Sequence, residues 1–225
     1  MIMCGRFTLG KEPNSLLDYF HLHGEVANSE VLNFKLSYNI APTQMTPVVF
    51  SKDKNRVCEL MRWGLIPSWS KGADAKFNMI NARAENITEK PAYRTAFKQR
   101  RCLVPVDGYY EWSGQSKPKQ PYFIYEANQS LFALAGIWEQ WQAEAGPINS
   151  FSIITTSANE VMQTIHHRMP VIIRPDQFDQ WLFDDERHSY QDLLTPVADL
   201  TLKYHAVNTR VNTVKNNFSE LTNPA

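Results

Sequence analysis

Leu131-Phe132-Ala133-Leu134-Ala135-Gly136-Ile137-Trp138 is a β-rich run bounded by turn residues, and its reading decides the fold. Cys102 to Val106, Tyr122 to Tyr125 and Phe151 to Thr155 have the same character. Upstream, Thr46 to Phe50 and Val57 to Trp63 read as strands joined by the polar turn Ser51-Lys52-Asp53-Lys54-Asn55. Helical signals fall between these runs. Asn14 to His23 is amphipathic through Leu16, Leu17, Tyr19 and Phe20. Thr88 can cap a helix that takes Tyr93 and Phe97 at i, i+4. Asn159 can cap a short helix through Ile165, and Pro175 suits the first position of a helix carrying Phe178, Trp181 and Leu182. Helices do not alternate regularly with strands, which argues against a doubly wound parallel sheet. The expected fold is therefore α+β, a mostly antiparallel, barrel-like β core with flanking helices, in a single domain over residues 1–225.

The 225 residues are 43% hydrophobic and 12% aromatic, enough to bury a large core and to exclude wholesale disorder. No apolar run approaches the ~20 residues of a membrane span, and the start of the chain lacks the pattern of a signal peptide. A cytoplasmic protein without a membrane partner is expected. Cys4, Cys58 and Cys102 are odd in number and lack CxxC spacing, which disfavours a disulfide framework and a zinc site. There is no GxGxxG, GxxxxGK[ST], GxSxG or HExxH, so neither a metal nor a cofactor is expected. The 23 basic and 23 acidic side chains cancel, which excludes a globally basic coat but not a local one. Between Lys90 and Lys119 there are seven basic residues against two acids; between Arg174 and Leu200 the balance reverses, seven acids against two arginines. Solvated faces of either sign explain that segregation equally well.

Cys4 is the most informative residue for chemistry. If the chain begins there, one residue carries a free α-amine and a thiol, with reference pKa values of about 8 and about 8.5. Such a group suits acyl transfer, with the amine as base for the thiol. It also suits aldehyde capture, in which the amine forms a Schiff base and the thiol closes a five-membered thiazolidine. The plainer reading of Cys4 is a small buried hydrophobe. In Val106-Asp107-Gly108-Tyr109-Tyr110-Glu111-Trp112, an acid set among aromatics tends to be desolvated, which suits Glu111 to acid/base work. An edge-strand Glu facing solvent is the commoner case. His166-His167-Arg168-Met169-Pro170 reads as a loop whose His can shuttle protons and whose Arg can hold a phosphate. Asn81, Arg83 and Glu85 share a side if extended. Trp63-Gly64-Leu65-Ile66-Pro67-Ser68-Trp69 offers two tryptophans around a turn, each a stacking platform for an unpaired base if exposed.

Taken in order, Met3-Cys4-Gly5-Arg6-Phe7, Tyr38-Asn39-Ile40-Ala41-Pro42, Trp63-Gly64-Leu65-Ile66-Pro67, Asn81-Ala82-Arg83-Ala84-Glu85, Asp107-Gly108-Tyr109-Tyr110-Glu111-Trp112, Phe132 to Trp138, Thr164 to Pro170 and Val211-Asn212-Thr213 form a series. It resembles the SRAP family, the SOS response-associated peptidases or abasic-site processing proteins, over nearly the whole chain. The resemblance implies a mature N-terminal cysteine that captures the ring-opened sugar of an abasic site in single-stranded DNA as a thiazolidine. It assigns Cys4 to the crosslink, Asn81 to positioning the sugar, Glu111 to acid/base work, and His166 to ring opening and reversal. Arg6, Trp63, Arg83, Arg94 and Arg168 match phosphate and base contacts, Trp69 completes the stacking pair, and Pro42 and Trp112 match the surface beside the lesion. The implied partner is single-stranded DNA, bound by a monomer that joins the nucleoid when on DNA.

The sequence departs from the family pattern at its start, where Met1-Ile2 precede Met3-Cys4. Either translation begins at Met3 or residues 1–3 are removed from the chain. Ser68 between Pro67 and Trp69 also alters the spacing of the two tryptophans. Three rival readings follow from the same residues: an N-terminal-nucleophile amidohydrolase, a peptidase in which Glu111 assists cleavage before Cys4, and a non-covalent binder of single strands.

Overall fold

In a computed structural model the described residues are 4–22, 29–72, 79–114, 117–197 and 201–225. The strands are β1 (Arg6–Leu9), β2 (Ser37–Ile40), β3 (Met45–Lys52), β4 (Asn55–Trp63), β5 (Asn81–Arg83), β6 (Arg101–Val106), β7 (Gly108–Ser113), β8 (Gln120–Glu126), β9 (Phe132–Ala143), β10 (Gly146–Ser157), β11 (Arg168–Pro170), β12 (Ile172–Ile173) and β13 (Leu202–Ala206). The short helices are α1 (Pro13–Tyr19), α2 (Ser29–Leu32), α3 (Arg94–Gln99), α4 (Glu160–Gln163), α5 (Phe178–Phe183) and α6 (Arg187–Gln191). Strands β4, β3, β6, β9 and β10 pair in that order, and β10 returns to β4, which closes a barrel. All of those pairings are antiparallel except β10 with β4. A second, antiparallel sheet runs β13-β8-β7-β1-β2. The α+β, mostly antiparallel, barrel-like expectation agrees with this architecture.

The β-rich runs pack as their composition dictates. Every residue of β6 is buried, and β9 is buried from Phe132 to Ile137 before its outer half reaches solvent. A β-carbon on Gly136 would lie 2.8 Å from Cys102 Sγ, so glycine lets β9 and β6 close the barrel tightly. Adjacent residues of β7 divide the two apolar clusters: Tyr109 joins the main core with Cys4, Phe7 and Trp63, whereas Tyr110 joins a smaller one with Phe123, Val207 and Val211.

Helix boundaries differ from expectation. The first helix starts at Pro13 and stops at Tyr19, since His21 takes a positive φ of 52° that no helix continues; His23 lies outside the described residues. Thr88 sits in a turn, and α3 begins only at Arg94. Asn159 does cap α4, its side chain accepting the Met162 N–H at 3.0 Å. Pro175 opens a 3-10 turn that feeds α5 rather than α5 itself. Arg101 belongs to no basic surface. It is buried beneath α3 and α5, donates to the carbonyls of Phe97, Lys98, Trp181 and Asp184, and stands 3.8 Å over the Tyr190 ring. No helix is long and apolar enough to cross a membrane among the described residues.

Candidate active site

The first half of the site lies where β1 meets β7. Their register sets Arg6 opposite Tyr110 and Phe7 opposite Tyr109, which brings the residues just before β1 alongside Glu111. The Cys4 backbone N–H donates to Glu111 Oε2 at 2.9 Å, and the Trp112 N–H donates to Oε1 at 3.2 Å. Glu111 is only 3% exposed. Burial pushes its carboxyl up to about 6, and the two backbone hydrogen bonds oppose that rise. Burial, then the Glu111 charge, pushes the Cys4 thiol well above its ordinary value, so it stays protonated near neutrality. Cys4 also adopts a left-handed backbone with φ of 43°, which costs a residue bearing a β-carbon about 1–2 kcal/mol.

The second half gathers around the end of β10. Thr155 is flanked by Arg83 of β5 on one side and Pro170 of β11 on the other. Asn81 precedes Arg83 on β5, opposite Ile153, and its carbonyl accepts the Tyr93 hydroxyl at 3.3 Å. The Arg168 N–H donates to His166 Nδ1 at 3.1 Å, which leaves the proton of the neutral ring on Nε2. That Nε2 is buried and makes no hydrogen bond among the described residues. Burial lowers the His166 pKa, so the ring is a neutral N–H donor at pH 7. The His167 ring stacks on it with centroids 4.2 Å apart.

Trp63 joins the halves. Its ring packs on Phe7 at 4.8 Å and on Phe151 at 6.5 Å, and its indole N–H donates to the Ile80 carbonyl, next to Asn81, at 3.1 Å. It is wholly buried. The sequence-based expectation that Trp63 stacks on a base is thereby corrected: a residue closing β4 faces the core. Trp69 is the exposed partner, at 69%, on a turn anchored by the Trp141 indole, which donates to the Ser70 carbonyl at 2.7 Å. Arg168 also differs from a free phosphate ligand. Its guanidinium pairs with Glu85, through Nη2 to Oε2 at 3.0 Å, and donates to the Thr155 carbonyl at 2.6 Å. Glu85 turns away from the Asn81–Arg83 strand in a 3-10 turn, so the three do not share an extended face.

The remaining residues are dispersed around this centre. Arg83 and Arg94 are exposed, and Pro42 is half-buried. Half-buried Arg6 donates to the Val211 carbonyl at 3.1 Å and lies 6.0 Å from the Trp112 ring centroid. The Trp112 indole donates to Asn212 Oδ1 at 2.8 Å, and the Asn39 amide to the Val211, Thr213 and Asn216 carbonyls. These bonds explain why the Tyr38–Pro42 and Val211–Thr213 phrases accompany the site. Charge connects the halves as well, since His167 and Lys119 both lower the Glu111 pKa against the dominant effect of burial. The described residues contain no cluster of His, Cys, Asp and Glu that could hold a metal ion. A cavity of about 370 Å³ lies on the other face of the five-stranded sheet, against Phe123 and His205, away from Glu111. Residues that motif reading left unassigned are Thr155, which holds Arg168, and Tyr109; the aromatic two places before the acid was the only signal for the latter.

Residues 3–214 match the family described as SOS response associated peptidase (SRAP). The chain is 40% identical over 223 residues to the abasic site processing protein YoaM of Bacillus subtilis (strain 168), covering 97% of each. It is 34% identical over 221 residues to the abasic site processing protein HMCES of Xenopus tropicalis, covering 83% of this chain and 65% of that one. A crystal structure of a protein from Bacteroides thetaiotaomicron superposes with a TM-score of 0.84 at 26% identity, over 99% of this chain and 100% of that chain.

Proposed function

Because the chain belongs to the SOS response associated peptidase (SRAP) family, we propose that it processes abasic sites in single-stranded DNA, forming a thiazolidine crosslink through Cys4 once residues 1–3 are gone. The observation that carries this reading is the 2.9 Å hydrogen bond from the Cys4 nitrogen to the Glu111 carboxylate. Removal of Met3 turns that nitrogen into an amine already facing a base, on the residue that also bears the thiol. It also abolishes the left-handed φ of Cys4 and its strain. Met1 to Met3 themselves lie outside the described residues.

The chemistry proceeds in balanced steps. An abasic sugar is mostly a closed hemiacetal, and the His166 Nε2–H is a donor for its ring oxygen. The Cys4 amine attacks the exposed aldehyde carbon and its proton passes to Glu111. That proton returns to the oxygen to give a carbinolamine hydroxyl, and a second proton, drawn from solvent through Glu111, lets it leave as water, giving an iminium. The thiol then adds to the same carbon, the C=N electron pair returns to nitrogen, and Glu111 accepts the thiol proton. Burial, which raises this carboxyl to about 6 while residues 1–3 are in place, suits it to take and give protons near neutral pH. Ring closure removes the electron sink that would otherwise promote β-elimination and strand cleavage. Asn81 positions the sugar, while Arg6, Arg83, Arg94, Arg168, Pro42, Trp69 and Trp112 supply the DNA surface. For Arg168 this requires phosphate to displace Glu85.

The test is a denaturing gel of the mature protein with single-stranded abasic DNA, after intact mass has confirmed that Cys4 is first. Wild type is expected to leave a stable adduct and Cys4→Ser none, although borohydride should still trap an imine on the serine amine. Equal crosslinking by Cys4→Ser would overturn the reading, and ammonia release from glutamine without any adduct would favour the amidohydrolase alternative.

A further inference from the structure

The Tyr109 hydroxyl is buried within an apolar core and makes no hydrogen bond among the described residues. A buried hydroxyl left without a partner destabilises the fold, so its retention calls for a partner that arrives later. Its place indicates which one. Tyr109 stands two residues before Glu111 on the same face of β7 and opposite Phe7 of β1, in the cluster that contains Cys4. Its neighbour Tyr110, on the other face, has an ordinary use for its hydroxyl, which donates to the Tyr38 carbonyl at 2.9 Å.

We infer that Tyr109 is a further catalytic residue, whose hydroxyl donates a hydrogen bond to the oxygen of the aldehyde as Cys4 attacks it. The inference rests on the aldehyde-capture reading of the same site. In the step concerned, the amine nitrogen forms its bond to carbon and the C=O electron pair moves onto oxygen. The amine proton goes to Glu111 and from there to the oxygen, and a second proton, drawn from solvent through Glu111, lets the resulting hydroxyl leave as water. Tyr109 transfers no proton; it stabilises the oxyanion in between. Burial above all, with the Glu111 carboxylate nearby, pushes the phenol well above its ordinary pKa, so it remains an O–H donor across the working pH range. Glu111 cannot fill this role while it is ionised to receive the amine proton. A donor aimed at developing charge in a dry site acts mainly on the transition state.

The experiment compares mature wild type with Tyr109→Phe in two arms. In the first, single-turnover crosslinking to abasic DNA is measured at saturating DNA, beside the Kd for DNA carrying a tetrahydrofuran analogue that has no aldehyde. The expected result is a maximal rate lowered about 10- to 100-fold with Kd unchanged. In the second, thiazolidine formation with glycolaldehyde is followed by intact mass, and the same loss of rate is expected without DNA. An unchanged rate in both arms overturns the role of Tyr109. Failure of wild type to capture abasic DNA, with glycolaldehyde capture still dependent on Tyr109, overturns the DNA reading alone. Should Tyr109→Phe fold poorly, 3-fluorotyrosine at position 109 keeps the packing and donates more strongly. Its rate is then expected to equal or exceed wild type, and a slower rate would count against the inference.

Discussion

Cys4, Tyr109 and Glu111 lie on the interior side of β1 and β7, buried to within a few per cent, whereas Trp69, Arg83 and Arg94 stand on a turn, a strand end and a helix start facing solvent. The first group needs burial: desolvation brings the Glu111 carboxyl up to about 6 and keeps the phenol protonated. The DNA contacts proposed for the second group need exposure, because base stacking and phosphate contact require surfaces a strand of DNA can reach. Under the proposed function, reactivity depends on strand register, while grip depends on exposed side chains on a turn and at the ends of elements. His166 and Arg168 fall between the two groups, a buried ring that accepts from the backbone of an arginine whose largely buried side chain pairs with exposed Glu85.

The hardest blow to that division is Trp63→Ala. Loss of a wholly buried indole between Phe7, Phe151 and the Ile80 carbonyl should destabilise the chain by about 3–5 kcal/mol, read by urea unfolding. Because Phe7 of β1 lies three residues after Cys4 and Ile80 precedes Asn81, both halves should loosen together, and crosslinking by the folded fraction should fall as well. A stable Trp63→Ala with weakened DNA binding alone would return this residue to the exposed group.

Trp63 also shows what was legible from the chain. The run Val57 to Trp63 reads as a strand and the motif after it reads as a loop, so the residue at their junction carried two meanings; the burial of Val57, Cys58 and Met61 on the same strand decides for the core. The barrel was legible because its strands are apolar runs cut by turn residues, with Phe132 to Ile137 the clearest. The closure of β10 onto β4 was not, since a parallel contact between distant segments leaves no local pattern. The order of motifs singles out Cys4 and Glu111 from the sequence, yet their hydrogen bond is a matter of register alone. Arg101, counted within a basic stretch, turns inward because four carbonyls await it, and acceptors on the backbone are invisible in side-chain sequence.

Glu111→Gln sharpens the comparison by separating reactivity from stability. In the mature protein crosslinking should slow by ~10²–10⁴, the usual contribution of a positioned acid/base, with little change in DNA affinity. Stability should move the other way in a chain that retains residues 1–3, best measured in a Cys4→Ala background that cannot process itself. Folded Glu111 holds its proton to about pH 6, whereas the unfolded carboxyl releases it near about 4.3. Between those values the folded state binds more protons, so wild-type stability falls as pH rises, and the full cost of about 2 kcal/mol persists above pH 6. The glutamine variant lacks this dependence and should be the more stable at pH 7. Urea midpoints at pH 5 and pH 7.5 check it. Equal stability at both pH values for the two chains would show that the carboxyl is not strained by burial.

Trp69→Ala is the gentlest of the three and isolates the exposed group. The indole is 69% exposed, and its turn is closed by the Ser70 N–H on the Pro67 carbonyl and by Trp141 on the Ser70 carbonyl, bonds that do not involve the Trp69 side chain. Its removal should therefore leave the urea midpoint within about 0.5 kcal/mol of wild type. Affinity for single-stranded DNA should fall by about 1–3 kcal/mol if the ring stacks on a base. At saturating DNA the crosslinking rate should be unchanged, because Cys4, Glu111 and Tyr109 keep their register. Fluorescence anisotropy gives the affinity, and the denaturing gel at saturation gives the rate. A normal affinity would remove Trp69 from the DNA surface. A lowered rate at saturation would instead mean that the turn helps to place the aldehyde, and that grip and chemistry are not separable in this fold.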